Sequence, residues 1–592
     1  MSLSSAQSIA FSGIAATQVQ ISVTSSNISN ADTKGYTEKT ANQSSNVTAG
    51  VGTGVTITGI TSTVDQLLLK SLIGANSNLG SANTTNNFLT QLEQLYGSTS
   101  SANSSTTGTS LANTLASFES ALSSLASTPS SVSLQSNAVS ALSAATQQLQ
   151  TTSSGIQQLR SNADQNIASS VSNINSDLQQ IASLNGQIKQ TAAAGQSTAD
   201  LMDQRNNALQ DLSSMMNVSY YTASNGDLQV YSSSGQALVD TTAHTLSYTP
   251  ASSVTASTTY APGSPSSGFS GITVNGVDIT SQITSGSVGA LITLRDQTLP
   301  NAQSQLDQLA SQLASSVNAV SNQGTSVPPP TSLTGATTVS SSTPLSATGT
   351  VRLAVTNQSG NLVSYQDITL SSYTTVGALV SAINSGTSGV TAAINASGQL
   401  TLTANGTGNG VSINEMTSSV GSSNEGFSDY FGLNNLITGT NASTIAVRSD
   451  ILSGTSGLPT STLDSSSSLT VGSSVLASGS ATMLNNLQSA LTGSTNFAMA
   501  GGLGATTGSF TDYAAAIVAN VASKASQATT NYNNQQTAQS TYANSLSSET
   551  GVNIDQETAN LSTLQNKYAA AAELIQAINT MFTALVTAMQ AA

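Results

Sequence analysis

The chain has 592 residues, room for several domains, yet only 6% of them are charged, against about a quarter in an ordinary globular protein. A net charge of −15 with 11 Lys plus Arg excludes a nucleic-acid binder, which needs clustered basic residues to neutralise phosphates. Without cysteine there are no disulfides, thiolate metal sites or Cys nucleophiles, and the single histidine, His244, cannot by itself supply zinc or triad chemistry.

The first thirty residues form one helical face through Leu3, Ala10, Ile14, Ile21 and Ile28, with Thr17 and Thr24 between them. No charged residue occurs from Met1 to Ala31. This end lacks the basic start and continuous apolar run of a secretory signal. Ser29 to Tyr36 is rich in turn formers and ends the helix, and alternation from Gly54 to Ile60 predicts a strand. Two apolar stripes predict long helices. One runs through Leu111, Leu115, Phe118, Leu122 and Leu125 and closes at Pro129; the other runs through Ile167, Val171, Ile174, Leu178, Ile181 and Ile188.

Val218–Thr222 and Leu228–Tyr231 around Asn225-Gly226 predict a β-hairpin, and β-like patterns continue to about residue 288. Helix returns with Leu299, Ala302, Leu306, Leu309, Leu313, Val317 and Val320. Pro328-Pro329-Pro330 opens an insertion with strands predicted at 351–355, 368–370, 390–394 and 400–402 and a helix at 376–383. Helical pattern resumes near Met483 and continues through a polar stretch from Tyr513 to Ser548.

The chain closes on a 3-4 rhythm through Leu561, Leu564, Tyr568, Ala571, Ile575, Ile578, Phe582, Leu585 and Met589, with no charge after Leu574. Such spacing specifies packing along another helix, and a soluble coiled coil normally keeps charges on its outer positions. The uncharged outer faces are therefore expected to meet protein. Gln576, Asn579, Thr580 and Thr583 interrupt the apolar run, so no membrane insertion is expected from it.

These patterns predict a mainly α chain with β insertion domains. The expected form is a nested multidomain rod: N- and C-terminal helices pairing as an α-helical coiled coil, a long-helix bundle body and two outer β modules. The predicted boundaries are 1–45 with 535–592 for the terminal assembly domain, 46–217, 289–325 and 425–534 for the helical body, 218–288 for one β domain and 326–424 for the inserted one.

Several segments together resemble the flagellar axial proteins of the rod and hook group, closest to the hook–filament junction branch. Ser26-Asn27-Ile28-Ser29-Asn30-Ala31-Asp32-Thr33-Lys34-Gly35-Tyr36 is similar to the group's signature NNISNANTPGY, with Lys34 at its proline. The junction branch is indicated by Asp200 to Leu209 (DLMDQRNNAL), Gly235 to Val239, Leu111 to Leu115 with Phe118, Ile181 to Lys189 (IASLNGQIK) and Leu294-Arg295-Asp296. Ser548 to Glu557 and Leu561 to Tyr568 resemble the shared ending. The resemblance covers about 1–325 and 425–592, and the 326–424 insert is similar to β modules of flagellins.

The resemblance implies a non-enzymatic structural subunit, secreted through the flagellar type III apparatus to the extracellular flagellum. Its implied partners are copies of itself in a helical lattice, hook protein below, the next hook-associated protein above, and a cytoplasmic export chaperone on the C-terminal helix. No cofactor, metal or catalytic residue is expected. The expected assembly interface comprises Leu3, Ala10, Ile14, Ile21 and Ile28 of the first helix, the nine seam positions from Leu561 to Met589 of the last, and Asn27, Asn30, Gly35 and Tyr36. Two alternatives stay open: another axial subunit of the hook-protein type, or a wall-processing enzyme on an axial scaffold. Gly50 to Gly54 lacks the helix and lysine of a phosphate loop. Asp200, Asp203 and Arg205 are expected to form local polar pairs on a helix, and His244 to be exposed or locally hydrogen-bonded.

Overall fold

The computed structural model describes residues 3–48, 50–97, 110–263, 268–477 and 479–591. They divide into two compact units, one of residues 1–88, 161–296 and 526–592, the other of 89–160 and 297–525.

In the first unit the N-terminal helix Leu3–Ser29 is followed by a two-stranded antiparallel ribbon, Lys39–Thr48 with Val51–Ser62. Helix Gln66–Leu95 buries Leu69, Leu72 and Ile73 here, and the later half of the long helix Val132–Ala193 buries the predicted stripe from Ile167 to Ile188. Helix Ala199–Met215 and the C-terminal helix Ile554–Ala591 complete the helical part. The predicted hairpin is present, Val218–Thr222 against Leu228–Ser232, joined through a five-residue loop and extended by Ala237–Val239. A second small sheet, Leu246–Ser247, Thr273–Val274 and Val277–Asp278, turns at Asn275-Gly276.

A buried arginine holds this β region to the helices. Arg295 grips Asp296 through two 2.8 Å bonds, donates to Asp164 at 3.0 Å, and lies 4.4 Å from the Phe269 ring. Asp164 also accepts from Tyr248 Oη and from Ala251 N–H, so the buried carboxylate is fully engaged.

In the second unit, helices Leu111–Ser127, Leu299–Ser321 and Thr482–Thr492 bury their apolar stripes together. Pro300 in the first turn of Leu299–Ser321 fits a position whose N–H needs no helical partner. Phe497 stacks on Tyr513 with ring centroids 4.0 Å apart. The insert holds two three-stranded sheets. Thr350–Asn357 lies between Leu362–Thr369 and Asn409–Asn414, while Gln399–Ala404 lies between Val390–Ile394 and Ser332–Thr338; helix Val376–Ser385 packs beside them. Strands Ser332–Thr338 and Asn409–Asn414 were not predicted, because their Gly, Ser, Thr and Asn content hides the alternation.

The central strand Thr350–Asn357 is buried on both faces. Val351, Leu353 and Val355 enter the main module core with Leu379, Leu402 and Phe431. On the other face Ala354 meets Leu463, Val475 and Leu476, and Arg352 pairs with Asp367 at 2.6 Å.

Two expectations need correction. The stretch 425–480, assigned to the helical body, has only the short helices Phe427–Phe431 and Ser449–Leu452 among its described residues, because its Gly- and Ser-rich sequence carries no sustained apolar stripe. The polar interruptions near the C-terminus also do not keep that region below bilayer-spanning composition: the helical stretch Phe510–Gln590 includes a segment long and apolar enough to cross a bilayer, almost all of it exposed. Alanine and the apolar seam residues together raise the average despite the interruptions.

Candidate assembly site: the terminal helix pair and its elbow

The N- and C-terminal helices lie antiparallel. Gln7 Nε2 donates to Asn579 Oδ1 at 3.4 Å at one end, and Asn27 Nδ2 donates to Glu557 Oε2 at 3.2 Å at the other. Ala10, Thr17 and Thr24, spaced by seven, are buried, whereas Leu3, Ile14, Ile21 and Ile28 are half-buried beside them. Small residues take the centre because this helix is packed twice, by the C-terminal helix and by the ribbon. Ser12 Oγ accepts from Val55 N–H at 3.1 Å, and Gln20 donates to Gln43 at 3.2 Å.

On the C-terminal helix Ile578 is buried and Leu561, Leu564, Ala571 and Ile575 are half-buried. Tyr568 turns outward. The paired residues put Leu3 level with Phe582, so Leu585, Val586 and Met589 run past the described start of the partner helix. Exposure follows: Phe582 is 46%, Leu585 55% and Met589 74% accessible, and Leu574 and Met581 are open on the outer face.

Where this pair meets helix Ala199–Met215, three segments singled out in the sequence come together. Lys39 Nζ is buried against the Asp203 carboxylate, lies 3.1 Å from Asp200 and sits 3.5 Å from the Tyr36 ring centroid. Asp203 also accepts from the Thr37 backbone N–H at 3.1 Å and from Thr37 Oγ1 at 2.7 Å. Asn27 is the hub on the other side: its Oδ1 accepts from Lys39 N–H and Tyr36 Oη at 3.0 Å each, and its Nδ2 donates to Lys39 O at 2.9 Å as well as to Glu557. The Glu38 N–H donates to Thr550 O at 2.8 Å. Burial, and then the nearby Glu557 carboxylate, pushes the Glu38 carboxyl above its ordinary range.

Gly35 closes the bend with φ +75°, and a Cβ there would lie 1.9 Å from Asn207 Oδ1. Asn207 donates to Lys34 O at 3.2 Å, while Lys34 itself points to solvent near Asp211 at 3.5 Å. Thus Asn27, Gly35 and Tyr36 meet in the elbow, and Asn30 instead caps its own helix through Ser26 O.

The carboxylates and arginine of this segment do not form the local pairs expected of them. Asp203 reaches across to Lys39, and Arg205 donates to Asn185 Oδ1 and Gly226 O, both at 2.9 Å. Asn185 in turn fixes Leu228 through its N–H and carbonyl, and Lys189 pairs with Asp227 at 3.1 Å. Sequence reasoning did not identify Lys39, Thr37 or Glu557 as site residues. A lone lysine following Gly-Tyr was the available signal. Gly50 to Gly54 lies on the ribbon, with no helix to present backbone N–H groups to a phosphate. Among the described residues no group of three or more His, Asp or Glu side chains could hold a metal ion.

Residues 89–330 match the flagellar hook-associated protein FlgK helical domain, 350–406 the flagellin hook IN motif, and 8–37 the flagella basal body rod protein family. Flagellar hook-associated protein 1 of Salmonella typhimurium is 26% identical over 324 residues, 53% of this chain and 56% of that protein. Over that stretch the chain is similar to flagellar hook-associated protein 1. The Escherichia coli K12 protein of the same name is 31% identical over 156 residues, 26% of this chain and 27% of that one. The aligned stretch thus spans little more than half of the Salmonella relative. A solved structure of the flagellar hook junction protein FlgK from Burkholderia pseudomallei aligns with a TM-score of 0.45 at 19% identity, covering 80% of this chain and 98% of that one.

The rod-family match ends on Gly35-Tyr36-Thr37, inside the elbow, and the hook-associated match takes in Asp164, Asn185, Asp203, Arg205 and Arg295.

Proposed function

We propose that the chain is a structural, non-enzymatic subunit of the bacterial flagellum, joining hook to filament. It assembles through the terminal segments 1–45 and 535–592. The observation that carries this reading is the C-terminal helix, uncharged from Leu574 onward, whose apolar seam is half covered by the N-terminal helix and then left open from Phe582 to Met589. In water such a face is unfavourable by about 25 cal/mol per Å² of apolar surface, and repeated neighbours in a tube remove it from solvent. Leu3, Ile14, Ile21, Ile28, Tyr568, Leu574, Phe582, Leu585 and Met589 supply the contacts between subunits. Ala10, Ile575 and Ile578 hold the pair within one subunit.

The elbow transmits that packing to the rest of the subunit, because Lys39, Asp203, Asn27 and Glu557 tie both terminal helices to helix Ala199–Met215. Hook protein lies below the subunit and the next hook-associated protein above it. A cytoplasmic chaperone covers the open helix face before type III export. The stretches 46–217, 289–325 and 481–534 form the body, 218–288 one outer β module, and 326–424 with the largely non-helical 425–480 the other. The test is a strain lacking this chain: it should keep bare hooks and shed filament subunits into the medium. Normal filaments, or loss of the hooks themselves, would refute the reading.

A further inference from the structure

The chain's one histidine stands between a carboxylate and the side-chain amide of an asparagine that precedes glycine. His244 Nε2 lies 3.0 Å from Asp240 Oδ2, and its Nδ1 lies 3.3 Å from Asn275 Nδ2. Asn275 and Gly276 are the two loop residues of the hairpin Thr273–Val274/Val277–Asp278, with φ of 51° and 79°. Both are exposed, and nothing lies within 4 Å of where a Gly276 Cβ would be. Glycine after asparagine leaves its backbone nitrogen unshielded and its backbone free to swing.

We propose that Asn275 is a self-modification site, where His244 promotes conversion of the side-chain amide to an aspartyl product. The Gly276 nitrogen attacks Asn275 Cγ, forming the N–Cγ bond of a succinimide and giving up its proton to water. The Cγ–Nδ2 bond breaks as protonated His244 delivers its Nδ1 proton to Nδ2, which leaves as ammonia; the ring regains a proton from solvent. Water then opens the ring to aspartate or isoaspartate, so no oxidant or reductant enters. Asp240 holds the Nε2 proton and orients Nδ1 toward the leaving nitrogen. It remains ionised at neutral pH, since its hydrogen bond with His244, followed by backbone N–H donors, draws its pKa down to about 2.

The other Asn-Gly pairs lack this arrangement. The Asn185 amide is buried and donates to Leu228 O, Asn225 donates to Asp227, and Asn409 donates to Asn405 O. Asn405-Gly406 is exposed like Asn275, has no imidazole near it, and serves as the internal reference.

The experiment is prolonged incubation of the purified full chain near neutral pH, with peptide mapping for amide-to-acid mass gain and isoaspartate at each Asn-Gly pair. Asn275 should convert about tenfold faster than Asn405, and His244→Gln should slow it about tenfold, less than the roughly hundredfold or more of a fully positioned enzymatic acid. Asp240→Asn should slow it as well. Conversion at Asn275 no faster than at Asn405 in the unmodified chain would overturn the proposal, as would an unchanged or faster rate in His244→Gln.

Discussion

The terminal helix pair and the inserted β module use their apolar residues in opposite ways. In the module Val351, Leu353, Leu400, Leu402, Phe427 and Phe431 are all at 0% exposure, so its hydrophobic surface is satisfied within the chain. The C-terminal helix, richer still in apolar residues, has Ile578 buried while Phe582, Leu585 and Met589 face solvent. Apolar content alone does not decide which of these faces are covered. The difference lies in whether a partner surface exists in the same chain; a region without one keeps its apolar surface open.

The strongest way to break this contrast is Phe582→Ser with Leu585→Ser. Polymerisation should be lost altogether, read by electron microscopy of assembly mixtures, while the denaturation midpoint of the free chain stays unchanged. Leu353→Ala should do the reverse, destabilising the second unit by about 3 kcal/mol in chemical denaturation through a lost side chain and a cavity. If Leu353→Ala left stability intact, the module would not have the closed core described.

Asp203→Ala sharpens the comparison at the elbow. It leaves the Lys39 ammonium buried with only the exposed Asp200 as counter-charge, a loss of about 3 kcal/mol. Limited proteolysis should then release the terminal helices while the second unit stays resistant.

The smallest effect concerns Asp177, whose pKa is raised to about 6 by burial and secondarily by Asp211. A carboxyl with a raised folded-state pKa binds its proton more tightly in the native state. Its favourable contribution is complete below the unfolded value near 4 and disappears as pH rises through about 6. Asp177→Asn should therefore stabilise the first unit at pH 7 by about 1 kcal/mol, after discounting for its partial exposure. The gain in Tm should vanish by about pH 4.

Much of the helical architecture was legible before the structure, because long stripes such as Leu299 to Val317 repeat a 3-4 spacing that only a helix brings onto one face. The hairpin at Val218 and the strand Val390–Ile394 were equally plain, each with apolar residues at alternate positions. Ser332–Thr338 escaped notice because its inward positions are Leu333 and Gly335, too weak an alternation to register. At the elbow, motif resemblance pointed to Asn27, Gly35 and Tyr36, but Asp203 and Arg205 misled: a charge pair close in sequence suggests a local interaction, and here both reach partners far along the chain.

The sequence alone determined which stretches are helical, which faces are apolar and where charge is withheld, since each is a property of neighbouring residues and their period. Tertiary structure decided how many of those faces find a partner within the chain. It also decided which polar side chains are buried together, as Lys39 with Asp203 and Arg295 with Asp164. Burial depends on segments more than a hundred residues apart arriving at the same place, and no local pattern encodes that meeting.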